Sequence, residues 1–153
     1  MPSRRDQIRM SDEELERFLA QERTVTCATV GPNGRPHLMP LWYVSDGLVL
    51  SGWTFAKSQK AKNLERDPHA TLQVEDGTEY HELRGVMLEC DVHVERETER
   101  VAEYGLALVE RYAGGSPEAR EAFRAQAKKR IGMRFTPTRV VSWDHSELGD
   151  DTY

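Results

Sequence analysis

The chain has 153 residues, which is a normal size for one domain with its own hydrophobic core. Its formal net charge is -5 at pH 7, and this acidic balance argues against a general role on nucleic acids or membrane surfaces, because both need a basic face. No apolar run approaches transmembrane length, no signal-peptide pattern is present, and Cys27 and Cys90 lie in separate apolar runs. These features predict a single cytoplasmic domain over residues 1–153 with reduced, buried thiols.

The N-terminal half alternates strand patterns with turn residues. Ser11 and Glu14 form a capping box that begins an amphipathic helix, and the ten residues before it are expected to be flexible. Residues 31–34 (Gly-Pro-Asn-Gly) and 46–47 (Asp-Gly) are turn sequences that close hairpins. The strands predicted around these turns are residues 24–30, 36–44 and 48–53.

The C-terminal half contains two further strand patterns, two helices and a last strand. Strands are predicted over residues 70–74 and 82–95, the second from ten residues of apolar alternation. Helices are predicted over residues 97–112 and 116–130, and a final strand over 131–143 with an interruption at Thr136-Pro137.

The order of these elements predicts a fold class. Short antiparallel strands dominate and few parallel crossovers are possible, so we expect a mainly β (α+β) fold. A small antiparallel barrel with helices on its outside fits this order. Residues 146–153 are expected to be flexible, like residues 1–10.

Residues 57–68 carry a high density of positive charge for an acidic chain. Ser58 is a good N-cap and an Asp-Pro pair ends the segment, so a short helix is predicted between them. Lys57, Lys60 and Asn63 are spaced three apart and fall near one face of that helix. A helix N-terminus with lysines and a hydroxyl offers N–H donors, a favourable dipole end and cations, which suit a phosphate group. The alternative is a solvated basic helix without a ligand.

Three segments carry a resemblance to a known family. Residues 26–44, 58–72 and 83–94 resemble the pyridoxamine 5′-phosphate oxidase-like family of flavin-binding split β-barrels. Within that family the chain looks most like the flavin/deazaflavin oxidoreductases that use coenzyme F420. The run K-x-x-N-L-x-x-D-P after the third strand is the most specific part, and the resemblance covers roughly residues 13–143. It implies a homodimer of split barrels with two cofactor sites at the subunit interface.

The resemblance also implies roles for residues of the basic helix. Ser58 and Lys60 match the positions that hold the cofactor phosphate. Asn63 matches the position that buttresses this loop, and Lys57 and Lys62 are plausible further cations.

Two strands are expected to lie along the flavin or deazaflavin ring. Ser51 and Gly52 match the strand end beside the ring, where a small residue lets the cofactor approach the backbone. An extended strand can bond the pyrimidine edge of the ring, and apolar side chains can cover its face. The residues that match the ring-facing strand are His37, Leu38, Met39, Pro40 and Leu41.

The chain departs from the family pattern at two places. Pyridoxamine phosphate oxidase proper resembles a longer chain with a basic C-terminal segment, whereas residues 143–151 here are acidic, so vitamin B6 oxidation is not expected. Cys90 occupies a point in the long strand where relatives often carry glycine.

Other residues carry weaker functional signals. The five histidines show no metal-ligand spacing, so no metal site is expected. Trp42, Trp53 and Trp143 are expected to be core or interface anchors, with Trp53 the best candidate for a cofactor contact. The basic cluster of residues 128–130 and Arg134 either stabilises a helix C-terminus or reaches across the dimer to the cofactor phosphate or an acidic tail.

The sequence favours an oxidoreductase that uses F420 to transfer hydride to or from a small unsaturated organic substrate. FMN is the alternative cofactor, because both molecules carry a ribityl phosphate. A non-catalytic carrier of flavin or haem is the alternative function. No catalytic residue can be assigned, and Tyr43 and His37 are the candidate proton donors.

Overall fold

The computed structural model of the chain describes residues 1–149, and its strands form one sheet. The strands are β1 (Val25–Val30), β2 (Pro36–Leu41), β3 (Val44–Asp46), β4 (Val49–Phe55), β5 (His69–Asp76), β6 (Arg84–Glu95) and β7 (Arg130–Asp144). The helices are α1 (Arg4–Gln7), α2 (Asp12–Gln21), α3 (Gln59–Arg66), α4 (Thr98–Tyr112) and α5 (Pro117–Gln126). Short 3-10 turns lie at Tyr80–Glu82, Ala127–Lys129 and His145–Leu148.

The seven strands are ordered β2-β1-β5-β6-β7-β4-β3, and every neighbouring pair is antiparallel. The sheet curls around an apolar core in the manner of a split barrel, and the helices flank it. This architecture confirms the predicted mainly β (α+β) fold. Strands β2 and β3 are the two edges of the sheet, so each presents one side without a backbone partner in this chain.

Two clusters of buried side chains hold the fold together. The larger lies inside the curled sheet, where inward residues of the strands meet α2 and α3, and it includes Phe18, Leu64 and Phe135. The smaller lies between β4 and the helices α4 and α5, and it is centred on Trp53 and Val101. Residues of both clusters line one cavity, namely Leu41 beside the larger cluster and Trp53, Leu108 and Phe123 in or beside the smaller one.

The predicted strand over residues 36–44 is in fact two strands. β2 ends at Leu41 and pairs with β1, whereas β3 begins at Val44 and pairs with β4. The break has a clear cause, because side chains of α4 bind the Tyr43 backbone. The Tyr43 N–H donates to the Tyr112 hydroxyl over 3.1 Å, and the Tyr43 carbonyl accepts from Arg111 and from Tyr112. These bonds replace a strand ladder at this point.

The predicted interruption at Thr136-Pro137 is a register shift within one continuous strand. β7 runs from Arg130 to Asp144, and its pairing with β6 shifts between Glu89 and Cys90. Pro137 has no N–H to donate, and Thr138 is the extra residue, whose hydroxyl donates to the Glu89 carbonyl over 3.1 Å.

The two ends that were expected to be flexible are residues 1–10 and 146–153, and the structure describes the first fully and the second in part. Residues 4–7 form α1, and Met10 is buried with its N–H donating to Ser142 Oγ over 3.0 Å, so part of the 1–10 segment is packed on the domain. Residues 150–153 of the expected flexible 146–153 segment lie outside the described residues. Among residues 1–149 no helix combines the length and the apolar character that crossing a membrane requires.

Candidate functional site

Helix α3 forms where the sequence predicted it, with Ser58 as its N-cap. The Ser58 hydroxyl accepts from the Ala61 N–H over 3.1 Å, and it lies 3.4 Å from the Thr54 hydroxyl on β4. The chain leaves β4 at Phe55 and enters α3 four residues later, so the helix N-terminus is held beside the end of that strand. This places the free N–H groups of the first turn next to the wall of a cavity that Thr54 lines.

Lys60 is buried, which does not fit the alternative of a solvated basic helix at this position. Only 6% of its surface is exposed, and burial lowers the pKa of its ammonium group. Within residues 1–149 it makes no ion pair and no hydrogen bond through its ammonium. A largely buried lysine whose ammonium has no protein partner is costly. Because Lys60 lines the cavity, an anion bound there would offset that cost.

Asn63 braces α3 against the sheet. It is fully buried, and its Nδ2 donates to Thr29 Oγ1 over 3.0 Å. Its Oδ1 accepts from Gln59 Nε2 over 2.7 Å. These contacts fix the rotation of the helix, and with it the direction of Lys60 one turn earlier.

The cavity beside α3 has a volume of about 350 Å³. Strands β2 and β4, helix α3 and the two C-terminal helices all contribute to its wall. Its lining includes two cations and no carboxylate. The lining residues are Pro40, Leu41, Trp42, Trp53, Thr54, Lys60, Leu108, Phe123, Gln126 and Arg130.

Two stacked aromatic pairs lie at this cavity, and three of their four rings line it. Trp42 stacks on Tyr112 with ring centroids 4.3 Å apart and planes 8° from parallel. Trp53 stacks on Phe123 with centroids 5.5 Å apart and planes at 12°. Trp42 is 48% exposed and Trp53 only 8%, so the cavity has an open aromatic edge and a closed aromatic wall. Such surfaces suit a planar conjugated ligand.

Arg130, at the start of β7, is the second cation of the cavity. Its guanidinium lies 3.8 Å from the centroid of Phe55 and 4.8 Å from that of Trp53. Its Nη2 donates to Gln126 Oε1 over 2.7 Å, and its Nε is buried without a partner. Burial lowers the pKa of this guanidinium, and no carboxylate pairs with it in the described part of the chain.

The structure brings three of the eleven predicted site residues into this cavity, namely Pro40, Leu41 and Lys60. The rest of the β2 group lies further along the edge strand. Leu38 is 59% exposed and Met39 is 48% exposed, and His37 carries a buried Nδ1 without a partner.

The remaining predicted residues have other surroundings. Ser51 and Gly52 lie in β4, and a Cβ on Gly52 would come within 3.0 Å of the Trp42 carbonyl. The small residue there therefore allows close approach of the chain's own backbone. Lys57 and Lys62 are exposed. Lys57 lines a second cavity of about 660 Å³, whose other lining residues are Phe55, Ala56, Lys128 and Lys129.

Comparison with known proteins now assigns the fold to a family. A family model described as pyridoxamine 5′-phosphate oxidase matches residues 11–144. The chain belongs to this family. No curated protein matches the chain.

Solved structures agree with this assignment. The conserved hypothetical protein Rv2991 from Mycobacterium tuberculosis is 40% identical, with a TM-score of 0.88 over 99% of this chain and 96% of that one. A structure named F420 reductase is 25% identical, with a TM-score of 0.66 over 82% of this chain and 94% of that one. The haem storage protein HutZ from Vibrio cholerae is 18% identical, with a TM-score of 0.69 over 88% and 96%, and this likeness shows the fold alone.

Several cavity residues of this family member were not predicted as site residues. Phe123 and Gln126 lie three apart on α5, so their spacing places them on one helix face, but nothing local indicates which element that face meets. Trp42 was expected to be a core or interface anchor, and in the structure it lines the cavity.

Two candidate proton donors have different fates. The Tyr43 hydroxyl is buried and donates to the Leu19 carbonyl over 2.6 Å, and burial raises its pKa to about 12. This hydroxyl therefore links the β2–β3 junction to α2 and is not available as a proton donor. His37 does not line the cavity.

Cys27 and Cys90 are free and buried, which raises the pKa of their thiols to about 11 and about 12. Both thiols are thus protonated near neutral pH.

Proposed function

We propose that the protein is an F420-dependent oxidoreductase that transfers hydride to or from a small unsaturated organic substrate. The observation that carries the proposal is Lys60, a buried lysine that lines a cavity with aromatic walls and whose ammonium has no partner among the described residues. A phosphate next to this ammonium and the first turn of α3 would supply the missing negative charge. The 25% identity to a structure named F420 reductase favours the deazaflavin.

The chain's own residues would have distinct tasks. Ser58 and Lys60 would hold the ribityl phosphate, and Asn63 keeps α3 in the orientation that points Lys60 at it. Pro40 and Leu41 would contact the ring from β2. When bound, the cofactor supplies the hydride chemistry, while the protein orients both reactants and excludes water.

FMN remains the competing cofactor, because its phosphate would meet the same ammonium. A haem carrier is less well supported by the site. None of the five histidines is buried: His69, His81 and His93 are exposed, and His37 and His145 are half-buried. The described residues therefore offer no buried histidine as an axial ligand for haem iron.

We also propose that the chain forms a homodimer through the edge near β2. Leu38, Met39 and Val30 expose 59%, 48% and 42% of their surface on or beside a strand with one unpaired side. Exposed apolar side chains on an open edge strand favour association with another chain. Light scattering after size exclusion tests this, since a monomeric mass at micromolar concentration would contradict it.

Titration with each cofactor tests the proposed function. Purified protein is titrated with F420 and with FMN by fluorescence, alongside Lys60→Met and the control Lys62→Met, which changes an exposed lysine of the same helix. We expect F420 to bind more tightly than FMN, and Lys60→Met to weaken F420 about 10- to 100-fold while Lys62→Met changes it little. Tight FMN binding without F420 binding would overturn the choice of cofactor. If Lys60→Met leaves both affinities unchanged, the phosphate assignment is wrong.

Turnover then separates an oxidoreductase from a carrier. Protein loaded with reduced F420 is mixed with a panel of quinones and enones, and cofactor oxidation is followed by absorbance. An enzyme accelerates oxidation by at least one acceptor over free cofactor, whereas a carrier slows or preserves it.

A further inference from the structure

The cavity holds a second cation that the phosphate assignment does not use. Lys60 and Arg130 both line it, and none of the ten lining residues carries a carboxylate. The chain as a whole is acidic, with a net charge of -5, whereas this cavity is lined by two cations and no anion. One phosphate near Lys60 would leave Arg130 unmatched.

The surroundings of Arg130 orient its guanidinium but do not neutralise its charge. Its guanidinium lies over the Phe55 and Trp53 rings, 3.8 and 4.8 Å from their centroids, and Gln126 accepts one of its N–H groups over 2.7 Å. These contacts orient the group without neutralising it, because amide and aromatic partners carry no net charge. In the described residues Gln126 is its one side-chain hydrogen-bond partner, so most of its five donors have no protein acceptor.

We propose that Arg130 and Gln126 form a carboxylate-binding subsite in this cavity, so that the ligand held between the aromatic walls is an organic acid. The guanidinium would bind the carboxylate through two parallel N–H groups, and the Gln126 amide would contribute its own N–H donors. The conjugated part of the acid would lie among Trp42, Trp53 and Phe123. This inference rests on the proposed use of the same cavity for a redox reaction, and it adds the chemical class of what binds there.

The carboxylate could have two sources with the same chemistry. It could belong to a separate conjugated acid that acts as the substrate, or to the acidic tail of F420. FMN lacks such a tail, so the two cofactors distinguish these sources.

Calorimetric titration of the protein without cofactor tests the subsite. The probe is 2-naphthoate, and its neutral counterpart is 2-naphthamide. We expect the acid to bind at least about 10-fold more tightly than the amide, and Arg130→Gln to remove that preference. Arg124→Gln is the matched control, because Arg124 is an exposed arginine on α5 that does not line the cavity. If acid and amide bind equally well, or if both arginine variants behave alike, the proposal is overturned.

A second variant protects the test against loss of folding. Gln126→Glu would place a carboxylate against Arg130 at the position where the amide oxygen now lies 2.7 Å away. The resulting internal ion pair keeps the arginine in place and should reduce naphthoate affinity about 10- to 100-fold. Unchanged naphthoate affinity in Gln126→Glu, with native circular dichroism, would contradict the subsite.

Cofactor titration of the same variants separates the sources. If Arg130→Gln weakens naphthoate but leaves F420 and FMN unchanged, the subsite takes a separate acid. If it also weakens F420 but spares FMN, the subsite takes the acidic tail. If it weakens FMN as strongly as F420, Arg130 serves the phosphate and the subsite proposal fails. Naphthoate binding through Arg130 in a protein that binds neither cofactor would overturn the proposed function alone.

Discussion

Replacing Lys60 with methionine should stabilise the protein without ligand while it removes anion binding. Lys60 is 6% exposed and unpaired within residues 1–149, so the folded protein without ligand carries the cost of an ammonium partly removed from water. Methionine keeps an unbranched chain of similar length and removes the charge. Sites built for a ligand often cost stability, and correcting one such residue commonly stabilises a protein by about 0.5–2 kcal/mol. For a domain of this size, that corresponds to an increase in Tm of about 1–8 °C.

The pH dependence of this effect follows from the direction of the pKa shift. Burial lowers the pKa of Lys60 below its ordinary value of 10.5, so between the lowered pKa and 10.5 the unfolded chain binds more protons than the folded one. The stability of the native protein therefore rises with pH in that window, relative to Lys60→Met. Below the lowered pKa the full cost of the charged form applies. The advantage of Lys60→Met should thus be largest below the lowered pKa and shrink as pH approaches 10.5.

Ligand should reverse the order of stability. At F420 concentrations that saturate both proteins, the expected weakening of affinity by about 10- to 100-fold gives Lys60→Met about 1.4–2.7 kcal/mol less stabilisation by ligand than the unmodified protein. Because this difference exceeds the middle of the range predicted for the gain without ligand, the unmodified protein should melt above Lys60→Met in saturating F420, although it melts below it without ligand.

Thermal unfolding by circular dichroism, with and without F420, measures both effects, and Lys62→Met is the control. The reasoning is refuted if Lys60→Met melts lower than the unmodified protein without ligand. That result would show that the Lys60 ammonium stabilises the fold and does not await an anion.

Three further variants test the framework around the cavity. Arg111→Met removes hydrogen bonds to backbone carbonyls at the end of α2 and at the β2–β3 junction. Urea unfolding should therefore show a free energy of unfolding that is about 2–4 kcal/mol lower. A decrease below about 0.5 kcal/mol would contradict this role. Gly105→Ala places a Cβ 2.3 Å from Trp53 Cζ3. It should lower the free energy of unfolding by about 1–3 kcal/mol and change the near-UV circular dichroism of tryptophan. An unchanged spectrum would mean that the backbone moves and the ring does not. Asn63→Ala leaves the buried Thr29 hydroxyl without its donor, so thermal unfolding should reveal a loss of about 1–3 kcal/mol, and F420 affinity should fall as well.

Local signals predicted most of the elements correctly. The Ser11 and Ser58 caps mark the starts of α2 and α3, and the Asn-Gly and Asp-Gly turns separate β1 from β2 and β3 from β4. Each of these signals acts over a few residues, so it is visible without knowledge of what packs against it. The error at residues 36–44 came from a distant cause, since Arg111 and Tyr112 bind the Tyr43 backbone from a helix almost 70 positions away.

The candidate site was predictable only in part, for the same reason. The sequence indicated a cationic helix start, and Ser58 is indeed its cap. It left open whether the lysines form a solvated basic face or a phosphate site, because helical spacing alone does not show which face meets the sheet. The hydrogen bond between Asn63 and Thr29 settles that rotation, and it joins residues 34 positions apart.

The amino-acid sequence by itself determined the antiparallel strands, the helix caps and the presence of a phosphate-compatible segment, because periodicity, turn residues and capping residues are local properties. Only the tertiary structure decided that Lys60 is buried without a partner and that Arg130 shares its cavity. Those facts depend on β2, β4, α3, α4 and α5 meeting around one space. Desolvation and charge pairing arise where separate segments meet, so they appear only after the chain has folded.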